Sequence, residues 1–462
     1  MTKKLILLAT AACLLQLNLL FGQQTKIYLL RDVWQKTLQS YPSLVAKNAR
    51  IEEQQLRKDL VKKQFLPGVV VQSQQSYGSV QNMPGSFFPL PGTYTAGSNA
   101  SKSLFTNGGS ATSYSSAVLQ WNFLQFGRER KRLHAANTAI ALSIGNLKQE
   151  EWELLSDVTQ LYFNTLEFMA LLEIARSDSR RLAELFNLLQ SQVDAGLHPG
   201  ADTLLLKSSL LSSKAKEHDY QSVLKAKLEQ LAALIGEPGV DFLPDTSTYY
   251  RFKETAVEAG DALQHHPYLQ VLNARVGNAE AGKEVVKSEW YPTVGLLAGA
   301  GVKGSGIQAD GTINNSVLAP WSNSTGNYLV GLGLTWNFSS LYENKNKQAI
   351  ADRLISSATA DRDAAQLQLT AGYAAALAGW DERRQGLEAS RASLDAARGA
   401  YALYEVRYQS GLINLIELLQ LQKNLQDAEG GYINAINAYW NQQVNQAASL
   451  GDPTLILTAI EP

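Results

Sequence analysis

The chain has 462 residues, enough for several compact domains or one very elongated body. A formal charge of −1 leaves no basic surface for nucleic acid. Charged residues make up only 18% of the chain, below the roughly 25% of soluble domains, which suits surfaces that are polar but weakly charged.

The N-terminus reads as a secretory signal over residues 1–22. Lys3 and Lys4 form its charged end, Leu5 to Leu15 its apolar stretch, and Leu20-Phe21-Gly22 the cleavage region before Gln23. The only cysteine, Cys13, falls inside it. Thr10-Ala11-Ala12-Cys13 faintly resembles a lipoprotein cleavage site. The plainer reading is an apolar signal residue, because Leu14, Leu15, Leu17, Leu19 and Leu20 continue the stretch past it. No later segment holds 18 consecutive apolar residues, which argues against a membrane-spanning helix. A spanning β-barrel leaves no such run and stays open.

Beyond the signal the chain repeats itself. Tyr41-Pro42 is echoed by His266-Pro267, and Asn48-Ala49-Arg50 by Asn273-Ala274-Arg275, both at an offset of 225. Val61-Lys62 matches Val286-Lys287, and Pro67 matches Pro292. The offset then becomes 215: Trp121-Asn122-Phe123 matches Trp336-Asn337-Phe338, Gly196-Leu197 matches Gly411-Leu412, Asp202 matches Glu417, and Gly236 matches Gly451. The expected plan is a first repeat over 23–236, an irregular segment over 237–258, a second repeat over 259–451 and a tail over 452–462. Each repeat reads helix, strand, long loop, strand, very long helix, turn and returning helix.

In the first repeat, helices run from Leu29 to Ser40 and on to about Phe65, where Pro67 stops them. Strands are expected over 67–78 and 113–124, and in the second repeat over 292–303 and 327–338. Tyr328, Val330, Leu332, Leu334, Trp336 and Phe338 share one face, against Leu329, Gly331, Gly333, Thr335 and Asn337 on the other. Ala117, Leu119, Trp121 and Phe123 repeat that alternation against Gln120 and Asn122. Apolar-out strands with aromatic ends fit an outer-membrane barrel, with Trp121, Phe123, Trp336 and Phe338 in the periplasmic interface belt. A soluble half-buried sheet gives the same alternation. Four strands cannot close a barrel and lipid tolerates no open edge, so spanning strands would have to be pooled from several chains. The loops Ser79–Thr112 and Gly304–Asn327 are rich in Gly, Ser, Asn and Pro and read as outward-facing.

Long helices are expected over 128–195 and 341–410, with returning helices over 201–235 and 415–450. From Leu154 to Val193, apolar and small residues alternate spacings of four and three, a sustained heptad seam. Leu387, Ser390, Leu394, Ala397, Tyr401, Tyr404 and Tyr408 keep the same rhythm. Roughly 65 helical residues extend about 100 Å, too long for a compact domain. Each long helix turns back at a glycine, Gly196 or Gly411.

Tyr408, Gly411, Leu412 and Glu417, with Gly196, Leu197 and Asp202 in the first repeat, resemble the periplasmic tip of the TolC-like outer-membrane efflux protein family. The helix-Pro-strand and Trp-Asn-Phe elements match it as well. The resemblance implies a mixed α and transmembrane β fold. Each subunit of a homotrimer would give four strands to a twelve-stranded outer-membrane barrel and long coiled-coil helices to a periplasmic α-barrel. It also implies a periplasmic adaptor and an inner-membrane pump as partners, outer-membrane lipid around the barrel, and no cofactor. The turns Gly196-Leu197 and Gly411-Leu412 would meet the adaptor. Tyr408 and Asp202 would link neighbouring coils, and Glu417 from each subunit would form a constricting ring. Ile413 stands where a family member's tip arginine would be, and Gln420 where a second acid would be, so the gate network differs here. The plainer role for Glu417 is to cap its helix.

Gly299-Ala300-Gly301-Val302-Lys303-Gly304 spells GxGxxG, but a polar loop follows where a dinucleotide site needs a helix. His265-His266 lacks a spaced third ligand and reads as a surface pair, not a metal site. No nucleophile or paired-carboxylate set stands out, which argues against an enzyme. The rival is a secreted or envelope-anchored coiled-coil stalk or adhesin, which explains the heptads but not the doubled strand pairs.

Overall fold

The computed structural model describes residues 26–78, 109–196, 199–240, 242–252, 262–308 and 312–460. The secretory segment, most of the loop from Ser79 and Leu197 lie outside the described residues. In chain order the elements are β1 (Lys26–Tyr28), α1 (Leu30–Ser40), α2 (Pro42–Lys63), β2 (Gly68–Gly78), β3 (Ser110–Leu124), α3 (Arg128–Asp194) and α4 (Gly200–Leu234). There follow β4 (Phe242–Pro244), α5 (Pro267–Ser288), β5 (Thr293–Ser305), α6 (Ala319–Ser322) and β6 (Ser324–Thr335). The chain ends with α7 (Ser340–Ala378), α8 (Trp380–Gln409), α9 (Leu415–Leu450) and α10 (Thr454–Ile460). They form two compact units, one of residues 52–140 and 276–357, the other of the remaining segments.

The first unit carries an antiparallel sheet in the order β2-β3-β5-β6. Leu119 pairs with Val69 and Ala298, and Leu296 with Trp121 and Leu332. Alternation therefore puts Val69, Leu119, Trp121, Leu296 and Leu332 on one face. A register shift between Trp121 and Leu124 bends the end of β3. Among the described residues the outer strands β2 and β6 have no partner on their far sides, and every residue of both is exposed. β6 begins three residues earlier than the sequence pattern predicts and ends at Thr335, so Trp336 and Phe338 follow the strand instead of closing it.

The second unit is helical. Its larger core gathers Val158, Tyr162, Phe163, Leu166, Leu231, Ile436 and Trp440, with Phe163 stacked on Trp440 at 4.7 Å. The heptad seam of α3 is largely buried: Leu154, Val158, Thr165, Leu172, Ala175, Ser179, Leu182 and Leu189 all lie in the interior. In α8 the fully buried positions are Leu387, Leu394, Tyr401 and Tyr408, one in each seven, while Leu403 and Val406 stay exposed. A helix buried along so narrow a seam leaves most of its surface exposed in the single chain.

Three sequence expectations need correction. The second long helix is two helices, interrupted at Gly379, where Gln442 Nε2 reaches the Ala376 carbonyl at 2.5 Å. An inserted side chain of this kind is a recognised cause of a helix break. The irregular segment after Gly236 contains β4, which pairs in parallel with β1. The tail folds as α10, with Ile456 and Ala459 buried in the larger core.

Candidate functional site

At one end of the sheet, two tryptophans make the same hydrogen bond. Trp121 Nε1 donates to the Phe65 carbonyl at 2.9 Å, and Trp336 Nε1 to the Trp290 carbonyl at 3.0 Å. Each acceptor lies two residues before the proline that precedes a strand, Pro67 or Pro292. Phe123 sits 5.7 Å from Trp121, and Phe338 4.3 Å from Trp336. The structure adds Trp290 and Tyr291, which the sequence reading missed: Trp290 lies 6.2 Å from Trp336. Their place directly before the strand-opening Pro292 was the available signal. Trp121 and Trp336 are half-exposed while their indole N–H groups are satisfied, the condition of aromatic residues at an apolar–polar boundary.

Near the turns that join the paired helices, a second cluster brings α3, α4, α8 and α9 together through Leu189, Leu206, Tyr408 and Leu418. The turn after α8 closes through two backbone bonds, Gly411 N to Tyr408 O and Leu412 N to Arg407 O, both 2.9 Å. Gly411 has φ 73° and Gly196 φ 76°, a left-handed backbone that glycine adopts without penalty. Leu412 projects outward, while Ile413 packs into the cluster.

Tyr408 is buried in this cluster, and its hydroxyl has no hydrogen-bond partner among the described residues. Burial raises its pKa, and the nearby charge of half-buried Asp202 raises it further. The two predicted gate residues thus lie near one another within one chain without bonding. Glu417 is exposed on the first turn of α9. Its backbone N–H donates to Asn414 Oδ1, and Asn414 Nδ2 donates to its carboxylate, each at 2.9 Å. This reciprocal cap orients the carboxylate at a helix N-terminus, where the dipole favours it.

Sequence reasoning missed a buried polar node where α3, α4 and α9 meet. Asp178 accepts from Ser213 Oγ at 2.6 Å, from Gln426 Nε2 at 2.8 Å and from Gln422 Nε2. Arg181 pairs with buried Glu429 at 2.9 Å. Two carboxylates in an apolar coiled coil demand such partners.

Two rejected motifs can be placed. The GxGxxG stretch lies wholly within β5, so no helix follows it. His266 is not at the surface, as the sequence suggested, but fully buried. Its Nδ1 accepts from Tyr268 N at 3.1 Å, its Nε2 faces the Ala448 carbonyl at 3.0 Å, and its ring meets Trp152 edge-on at 4.7 Å. No cluster able to hold a metal ion occurs among the described residues, and no described helix is long and apolar enough to cross a membrane.

An antiparallel sheet with an exposed apolar face and long paired helices make up the fold, and known proteins share it. The family model "Outer membrane efflux protein" matches residues 33–237 and 259–452, so the chain belongs to the outer membrane efflux protein family. The alkaline protease secretion protein AprF of Pseudomonas aeruginosa is 26% identical over 41% of this chain and 40% of its own length. The probable efflux pump outer membrane protein TtgC of Pseudomonas putida is 22% identical over 71% of this chain and 66% of its own. The outer membrane protein VceC from Vibrio cholerae superimposes with a TM-score of 0.71 at 16% identity, covering 92% of this chain and 96% of VceC. The chain is therefore an outer-membrane efflux component, and the stalk or adhesin reading is set aside.

Proposed function

We propose that this chain is one subunit of a trimeric exit duct that carries cargo from a periplasmic adaptor and inner-membrane pump, in an efflux or type I secretion system, across the outer membrane. The observation that carries this reading is the pair of open sheet edges, β2 and β6. An open edge is untenable in lipid, since its N–H and C=O groups would be unsatisfied. β2 and β6 run in opposite directions in a four-stranded antiparallel sheet. Copies joined β6 to β2 therefore continue the antiparallel ladder without a parallel seam. Two copies would give eight strands, a barrel about as wide as its own side chains fill. Three copies give twelve and leave a lumen, in accord with the family resemblance. The matching indole bonds of Trp121 and Trp336 support an internal duplication, with both aromatic groups in the periplasmic belt.

In this reading the turns at Gly196 and Gly411 form the periplasmic tip and meet the adaptor. The unpartnered Tyr408 hydroxyl would find its acceptor in Asp202 of the neighbouring coil, which already lies near it within the chain. The capped Glu417 carboxylates of three copies would form a ring that repels anions and favours cations. No residue set here suggests chemistry on the cargo, and the pump would supply the energy. The test pairs cysteines introduced along β2 with cysteines along β6. Oxidation should yield covalent trimers for pairs in register. Covalent bonds only within single chains, or none at all, would overturn the edge-to-edge barrel.

A further inference from the structure

The connection between β5 and β6 folds back onto the sheet. Gly306 N donates to the Ala111 carbonyl and Asn314 N to the Gly306 carbonyl, both at 2.8 Å. Asn323 Nδ2 reaches the carbonyls of Ser305 and Ile307, each at 2.8 Å. Gln75 Nε2 donates to the Val317 carbonyl at 2.9 Å. A Cβ placed on Gly304 would fall 1.9 Å from the Pro320 carbonyl oxygen and 2.5 Å from Ser113 Oγ, so α6 rests directly on the strand.

Register identifies the face it rests on. Gln75, Ser113, Gly304 and Ser324 form one row across the sheet. Ser113 lies an even number of residues from Trp121, and the register shift of β3 comes only after Trp121. Period two then places α6 on the face that carries Val69, Leu119, Trp121, Leu296 and Leu332. Ala319 and Pro320 are buried towards the sheet, whereas Val317, Leu318 and Trp321 are 62%, 71% and 62% exposed. No charged residue occurs anywhere from Thr312 to Tyr342.

We infer that this strap is a second membrane girdle, with Leu318 and Trp321 seated in the outer leaflet among lipid acyl chains near the headgroups. The inference rests on the duct reading, which turns this face to lipid. Three observations favour lipid over a second copy of the chain. The helix α6 sits over β3 and β5, the two inner strands, and the strap meets the outer strand β2 only where Gln75 holds the Val317 carbonyl. It continues the apolar face without a charge. Its spacing from the aromatic end also fits. From Trp121 to Ser113 the strand covers about 27 Å, or roughly 20 Å along the axis of a tilted barrel, close to the ~25 Å apolar band of such barrels.

Two variants, Leu318→Cys and Val330→Cys, each carrying Cys13→Ser so that it holds a single cysteine, are labelled with an environment-sensitive dye on the full chain in phosphatidylcholine vesicles. Quenching is compared between nitroxide lipids labelled near the headgroup, nitroxide lipids labelled deep in the acyl chain, and aqueous iodide. The label at residue 318 should be quenched about twofold more by the shallow nitroxide than by the deep one, with little effect of iodide. The label at residue 330 should respond chiefly to the deep nitroxide. Strong iodide quenching at residue 330 would overturn the duct reading and this inference with it. Lipid quenching at residue 330 with iodide quenching at residue 318 would overturn the girdle alone. So would protection of residue 318 from both quenchers, the mark of a neighbouring copy.

Discussion

The sheet unit and the helical unit turn their apolar residues in opposite directions. Leu332 and Leu334 on β6 are 73% and 66% exposed, whereas Leu206 and Leu418 in the helical cluster are fully buried. Both segments obey their own period, two in the strand and seven in the helices. Water accounts for the second arrangement through burial of apolar area. It cannot account for the first, because a continuous exposed apolar face of this kind marks a surface meant for another apolar phase. In the proposed duct the same alphabet reports two solvents in one chain.

That contrast can be broken at either unit. The largest effect is expected at the buried node. Arg181→Ala leaves Glu429 without its cation and should cost about 3–5 kcal/mol, seen as a lower denaturant midpoint in detergent. Replacing Arg181 and Glu429 together by apolar residues should restore most of the loss. In the helical cluster, Leu418→Ala should cost ~2–5 kcal/mol. In the sheet, Leu332→Ala should change little, while Leu332→Arg should cost ~2–4 kcal/mol in lipid vesicles. A Leu332→Arg chain as stable as the parent in vesicles would mean that this face meets water.

A smaller, pH-dependent effect should come from His266. Its two ring contacts suit the neutral imidazole protonated on Nε2, and burial holds its pKa below the ordinary 6.5. The unfolded chain therefore takes up the proton first as pH falls. The stabilisation is complete above 6.5 and is lost as pH drops towards the folded value. Denaturation midpoints at about pH 7.5 and about pH 5.5 should differ less in His266→Gln than in the parent. Tyr408→Phe should be smallest of all in a single chain, neutral or stabilising by about 1 kcal/mol, because the hydroxyl it removes is buried and unpartnered there.

The strand faces and the heptad seams were legible because periodicity is local. Val330, Leu332 and Leu334 alternate whatever lies beyond the strand, and Leu387, Leu394, Tyr401 and Tyr408 recur whatever they touch. The break at Gly379 was not legible, since a single glycine costs a helix only about 1 kcal/mol and the pattern reads through it. Gln442, which fills that break, lies far away in sequence. The pairing of Phe242-Leu243-Pro244 with the N-terminal strand is likewise a long-range choice made by three residues. The polar node was hidden for the same reason. Asp178, Ser213, Gln422, Gln426 and Glu429 each look like solvent-facing positions until three helices bring them together. At the tip, the turn residues were legible and the contacts were not: Asn414 claims the Glu417 carboxylate through a cap, while Tyr408 and Asp202 lie near one another unbonded.

The central proposal is a continuous duct gated at its tip by Asp202, Tyr408 and Glu417, and conductance in planar bilayers tests it most directly. The purified parent should give small, steady channels, and the Asp202→Ala/Tyr408→Phe double variant should give channels severalfold larger. No conductance from folded, correctly assembled protein in either form would contradict the account.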